Sequence, residues 1–245
     1  MTRIVRGGKP TYGHQVGILM MDTAFARIPG DIGNATTFEF PVQFRLINGS
    51  SNDRIVWERD RSLLRPYIEA AQELERSGVR AITTSCGFLA MFQPELAASV
   101  SVPLFTSSLL LVPLVSRMIR PDQKVGILTA DSTALDETHF NATGWSATDI
   151  PVVLEGMQDR SAFWAAYPKN AIEYDVDAVE ADMSDAARRL VREHPDVGAI
   201  VLECTNMAPY AHVVQEVTRL PVFDVQTLTN FVYEATHRAP YSGHL

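Results

Sequence analysis

The sequence predicts an α/β protein of two pseudo-symmetric lobes, each a four-stranded parallel sheet flanked by helices, with the site in the cleft between them. Three observations carry this. "VGILMMD" at 16–22 and "VGILTAD" at 125–131 are near copies, 109 residues apart. An offset of 118 aligns residues 79–106 with 197–224 without a gap, and seven of those 28 positions are identical. Typical composition would give roughly two. Finally, short apolar runs alternate with segments of helical period along the chain.

In the first lobe, strands are expected at 16–21, 41–47, 80–84 and 102–105. In the second they are expected at 124–129, 150–154, 197–202 and 220–223. Each VGIL run is apolar and ends in polar residues, as a strand buried in a parallel sheet does. "SLLRPYIEAAQELERSG" places Leu64, Ile68, Ala71 and Leu74 on one helical face and stops at Gly78. "DAVEADMSDAARRLVREHP" does the same with Val179, Met183, Ala186 and Leu190, and stops at Pro195. "QTLTNFVYEATH" repeats the spacing at Leu228, Phe231, Val232 and Ala235. This last helix follows the second copy's final strand, so it is expected to return to the first lobe. The lobes are then 1–117 with 225–245, and 118–224. Residues 23–40 have no helical period and carry Pro29, Gly30 and Gly33. They predict a long loop over the cleft, with Arg27 and Asn34 as its ligand contacts. A solvated surface role is the alternative for Arg27.

The 245 residues are 46% hydrophobic and 20% charged, with a net charge of −8. That balance argues against a nucleic-acid or anionic-membrane surface. The longest apolar stretch, near Leu109–Val115, is too short to span a bilayer. The N-terminal residues lack the apolar core of a signal peptide. A cytoplasmic location with both cysteines as thiols is expected. Two cysteines cannot build a thiolate zinc site, and no His pair stands at ligand spacing near either, so no metal is expected. There is no G-x-G-x-x-G or P-loop motif, and none of Lys9, Lys124 and Lys169 ends a strand, so no organic cofactor is expected.

The only cysteines, Cys86 in "AITTSCGFLA" and Cys204 in "AIVLECTNMA", are equivalent under the 118-residue offset. Both fall at carboxyl ends of strands, where ligands bind in open α/β sheets. A helix beginning after each would aim backbone N–H groups into the cleft and draw the thiol pKa toward neutrality. The plain alternative is a small buried hydrophobe, but packing does not demand sulfur at two equivalent strand ends. Two thiols facing across one carbon suit two-base proton transfer, the backbone N–H groups stabilising the carbanion. Asp22 and Asp131 end the VGIL strands and are read equally as cleft residues or turn caps. Asn206 donates an amide to a ligand or caps a helix. Glu203 holds a ligand amine or ring N–H, or forms a strand-end salt bridge.

In "TTSCGF", "ECTNM" and the two-lobed repeat, the chain resembles the aspartate/glutamate racemase superfamily, with its hydantoin racemases, maleate isomerases and arylmalonate decarboxylases. The stretch "RIPGDIGNATTFEFPVQF" is similar to a loop at the site mouth in members without an assigned substrate. The resemblance implies a cofactor-independent enzyme, frequently dimeric or larger. Carried over, it makes Cys86 and Cys204 the acid–base pair and Thr84, Ser85, Gly87, Thr205 and Asn206 the pocket lining. Amino-acid racemases of the family commonly place Asn-Thr after the first cysteine, whereas Gly87 and Phe88 stand here. Gly87 keeps its backbone N–H and admits a close ligand. Phe88 implies a more apolar or larger substrate, or is a core residue.

The expected function is a racemase or epimerase acting on a carbon beside a carboxylate or carbonyl. The alternatives are a maleate-type cis–trans isomerase with one nucleophilic cysteine, and a non-catalytic two-lobed binder of a small anion. Decarboxylation ranks below these, because it needs only one cysteine.

Overall fold

The computed structural model describes residues 4–9, 11–241 and 243. Two four-stranded, wholly parallel sheets form the two lobes. The first contains β1 (Val16–Met21), β2 (Val42–Ile47), β3 (Ala81–Thr84) and β4 (Leu104–Phe105), in the order β2-β1-β3-β4. The second contains β5 (Lys124–Thr129), β6 (Val152–Gly156), β7 (Val197–Leu202) and β8 (Val222–Phe223), in the order β6-β5-β7-β8. The repeat extends to register. Ile82 stands opposite Leu104, and Ile200 opposite Val222, so one offset of 118 maps the first pair onto the second.

The paired glycines of the VGIL runs have a packing reason. A methyl group on Gly17 would lie 2.8 Å from Leu74 Cδ1, and one on Gly126 would lie 2.8 Å from Leu190 Cδ2. Those leucines belong to the long helices α1 (Leu64–Ser77) and α6 (Val176–Glu193), which lie against β1 and β5. Each glycine lets a helix approach its sheet closely. Helix α1 ends on Gly78 at φ +100°, as its sequence predicts.

Between these helices lie α2 (Gln93–Ala98), α3 (Val112–Ser116), α4 (Glu137–Ala142) and α5 (Ser161–Ala166), all too short to show a clear period. Two more follow β7: α7 (Ala211–Thr218) and α8 (Val225–Thr236). Helix α8 packs back on the first lobe. Its Tyr233 stacks on Phe40 at 3.8 Å, and Arg80 donates to the Thr236 carbonyl. Its buried face is Val225, Leu228 and Thr229. Phe231 is exposed and Ala235 faces out with it, which corrects the apolar stripe read from the sequence. Val232 and Tyr233 pack against the core instead, Tyr233 being covered by Phe40. No helix among the described residues is long and apolar enough to cross a membrane.

Candidate active site

Each cysteine lies two residues past its strand, at the start of a six-residue 3₁₀ segment: Gly87–Phe92 after Cys86, Thr205–Tyr210 after Cys204. Both thiols are free, and both line one cavity of about 480 Å³, its mouth included, between the lobes. Ser85, Gly87, Phe88, Thr205, Asn206 and Arg27 line it too.

The lobes meet through a reciprocal contact at the cysteines. The residue before one cysteine touches the residue after the other. Thr205 donates its hydroxyl to the Ser85 carbonyl at 2.7 Å. Gly87 lies against Glu203, and a methyl group there would collide with the Glu203 carbonyl and Oε1. Further seams run from the Ser108 hydroxyl to the Leu202 carbonyl, and from Asn52 to the Tyr167 and Pro168 carbonyls.

Neither thiol is drawn toward neutrality. Burial pushes Cys86 up to about 12, and the neighbouring Glu203 adds to the rise; backbone N–H groups of Phe88 and Leu89 and the Arg27 charge oppose it. Burial and Glu203 also push Cys204 well above its usual value, with Asp31 raising it further. This corrects the expectation from helix termini. A short 3₁₀ turn offers two or three N–H groups rather than a long helix's summed dipole, and burial outweighs them.

The loop at 23–40 crosses from the first lobe to the second. Phe25 packs edge-on against Tyr167, the Tyr174 hydroxyl donates to the Ala26 carbonyl, and Asn170 accepts from the Ala24 and Phe25 backbones. Arg27 is held by Asp31 at 2.7 Å and by the Thr23 hydroxyl. Asp31 in turn accepts from Asn206 at 2.9 Å, tying the loop to the Cys204 turn. Asn206 Oδ1 stands 3.7 Å from Cys204 Sγ.

Several expected ligand contacts have structural roles instead. Asp22 is exposed and accepts from Gly49 N, fastening the turn after β2. Asn34 caps the turn at Ala35–Thr37 and donates to the Arg27 carbonyl. Thr84 donates to the Thr106 and Cys86 carbonyls. Asp131 accepts from Trp57 Nε1 and caps its own turn through Thr133. Glu203 is fully buried behind Gly87. Short side chains at strand ends satisfy nearby backbone groups first. The sequence reading missed Met21, Thr23, Phe25, Asn52, Val56, Trp57, Ala130, Tyr167 and Pro168 in the lining. Asn52 precedes and Trp57 ends a π-helical turn at Asp53–Trp57, a feature enriched at functional sites but without a periodic signal.

Residues 52–229 match the family described as Asp/Glu/Hydantoin racemase. The chain belongs to that family. It is 31% identical over 231 residues to a protein named dimethylsulfoniopropionate lyase from Durusdinium sp. clade D, with 92% of this chain and 76% of that protein covered. It is 30% identical over 236 residues to dimethylsulfoniopropionate lyase 3 of Emiliania huxleyi, with 93% of this chain and 61% of that protein covered. The chain thus falls short of both relatives' lengths. Among solved structures, the Picrophilus torridus aspartate racemase overlays with a TM-score of 0.57 at 14% identity, covering 91% of this chain and 94% of that one. Unliganded arylmalonate decarboxylase gives 0.56 at 15%, covering 91% and 92%. At such identities the overlays establish the racemase-family fold.

Proposed function

We propose that this racemase-family protein is a cofactor-independent lyase that eliminates a β-leaving group from a small carboxylate. The observation that carries the reading is one cavity holding two thiols, one guanidinium and an aromatic wall. Arg27 takes the carboxylate. A thiolate removes the proton from the carbon beside it. The C–H electron pair forms the new double bond, and the β-carbon–leaving-group bond breaks, its pair departing with the leaving group. Trp57, Tyr167 and Phe88 line the same cavity, so a cationic sulfonium group bound there would lie among aromatic rings before it leaves as a neutral sulfide. The names of the relatives make dimethylsulfoniopropionate the first candidate, which would yield dimethyl sulfide, acrylate and one proton.

The equivalence of the two thiols supports a second reading, racemisation or epimerisation with one thiol on each face of the carbon. Incubating the purified protein with dimethylsulfoniopropionate in heavy water separates the two. Release of dimethyl sulfide and acrylate is expected. No release, with deuterium exchange and inversion of an amino acid or hydantoin, would favour the second reading. Arg27→Ala is expected to raise KM for the carboxylate roughly 10- to 100-fold, since charge-assisted hydrogen bonds contribute about 1.5–3 kcal/mol.

A further inference from the structure

We propose that Glu203 is a positioning residue that governs ionisation of both thiols: its buried carboxyl carries a proton in the resting protein, and losing that proton suppresses thiolate formation at Cys86 and Cys204 alike. The proposal rests on the reading of the thiols as proton-transfer groups.

The geometry assigns this role. Glu203 has no exposed surface. It precedes Cys204 in the chain and lies against Gly87, which follows Cys86. It therefore stands between the two thiol-bearing turns. Oε2 accepts from the Thr129 hydroxyl at 2.8 Å, while Oε1 has no partner. No ion pair among the described residues includes Glu203, so the salt bridge read from the sequence is absent. A buried carboxylate with one hydroxyl donor and no cation is costly to ionise. Burial accordingly raises Glu203 to about 8. Of the other charged groups nearby, Arg27 opposes the rise at Cys86 and Asp31 adds to it at Cys204. Glu203 is the group whose charge raises both. With rising pH it loses its proton before either thiol, and the new charge then disfavours a second negative charge beside it.

Glu203→Gln keeps the shape and an oxygen for Thr129 but removes the charge. The test is the pH dependence of iodoacetamide alkylation, with peptide mapping of Cys86 and Cys204 separately. It needs no substrate. At pH 9 both thiols of the variant are expected to react at least several-fold faster than in the unaltered protein. Unchanged profiles, or a shift at only one cysteine, would overturn the proposal. An infrared titration of the unaltered protein gives a second measure should the variant fail to fold. A protonated buried carboxyl is expected at pH 7 and lost by pH 9; its absence at pH 7 also overturns the proposal. If alkylation shifts as expected but dimethylsulfoniopropionate is not consumed, the lyase reading fails and this one stands.

Discussion

The turns after Cys86 and Cys204 occupy equivalent places in the two lobes, yet they are built differently. The first is Gly87 and Phe88, with no polar side chain; the second is Thr205 and Asn206, both engaged in hydrogen bonds. The reciprocal partners differ in the same sense. Ser85 precedes Cys86 and offers its carbonyl to Thr205, whereas Glu203 precedes Cys204 and fills the space a side chain on Gly87 would need. The backbone frame is duplicated while the chemistry is not. One turn brings no polar side chain to the cavity, and the other binds the covering loop through Asp31.

The strongest way to break the comparison is to remove each thiol. Elimination expelling a neutral sulfide requires one base and no acid for the leaving group. Of Cys86→Ser and Cys204→Ser, one is expected to lose kcat by roughly 10²–10⁴-fold and the other far less. Racemisation instead needs both, so equal loss of inversion in the two variants would mark the second reading. The resting charges do not choose the base. Arg27 favours a thiolate at Cys86, but a bound carboxylate would neutralise that guanidinium.

How far the sequence reaches can be judged from particular residues. The VGIL glycines and the 118-residue offset predict the lobes, because close helix packing keeps both glycines and the paired strands keep one register. The cysteines were legible for the same reason. The aromatic wall was not. Trp57 and Tyr167 come from different lobes, on segments without period, and meet only when the lobes pack. Thiol acidity is not legible, because a strand end suggests N–H donors but reveals neither the burial nor the Glu203 carboxyl lying against both turns. Asp22 and Asp131 looked equivalent, yet Asp22 is exposed and Asp131 is buried, holding Trp57.

Glu203 also separates the halves through stability. Its pKa in the folded chain is raised from 4.5 to about 8, so the folded state holds a proton that the unfolded state has released. Stability is therefore fully present below pH 4.5 and falls as pH rises toward about 8. Denaturant titrations at pH 5 and pH 9 should differ more for the unaltered protein than for Glu203→Gln, by roughly 2–4 kcal/mol. Ser85, its counterpart, carries no such dependence. An equal difference in both proteins would place the effect elsewhere.

The reciprocal contacts can be compared directly. Gly87→Ala drives a methyl group into the Glu203 carbonyl and carboxyl, and a backbone carbonyl cannot swing away. A loss of about 1–3 kcal/mol is expected, typical of overpacking. Thr205→Val only strips the donor from the Ser85 carbonyl and should cost about 1 kcal/mol. Urea unfolding of the two variants side by side tests this. A Gly87→Ala no worse than Thr205→Val would mean that the seam is loose there.

The smallest effect concerns the covering loop, which the first lobe has and the second lacks. Gly30 and Gly144 both have positive φ, +96° and +87°. Alanine should therefore cost each about 1 kcal/mol of backbone strain. Their surroundings differ. Nothing lies within 4 Å of a methyl group on Gly144, whereas one on Gly30 would stand 3.0 Å from Pro209 Cα. Pro209 belongs to the Cys204 turn, and the Gly30 carbonyl accepts from Gln226 of α8. Gly30 is thus where the loop seats on the far side of the cleft. Both variants should unfold at a reduced denaturant midpoint, Gly30→Ala at the lower one, and only Gly30→Ala should also weaken substrate binding. A few-fold rise in KM is expected for it and none for Gly144→Ala. Equal KM values in the two would show that the loop covers the cavity without helping to close it.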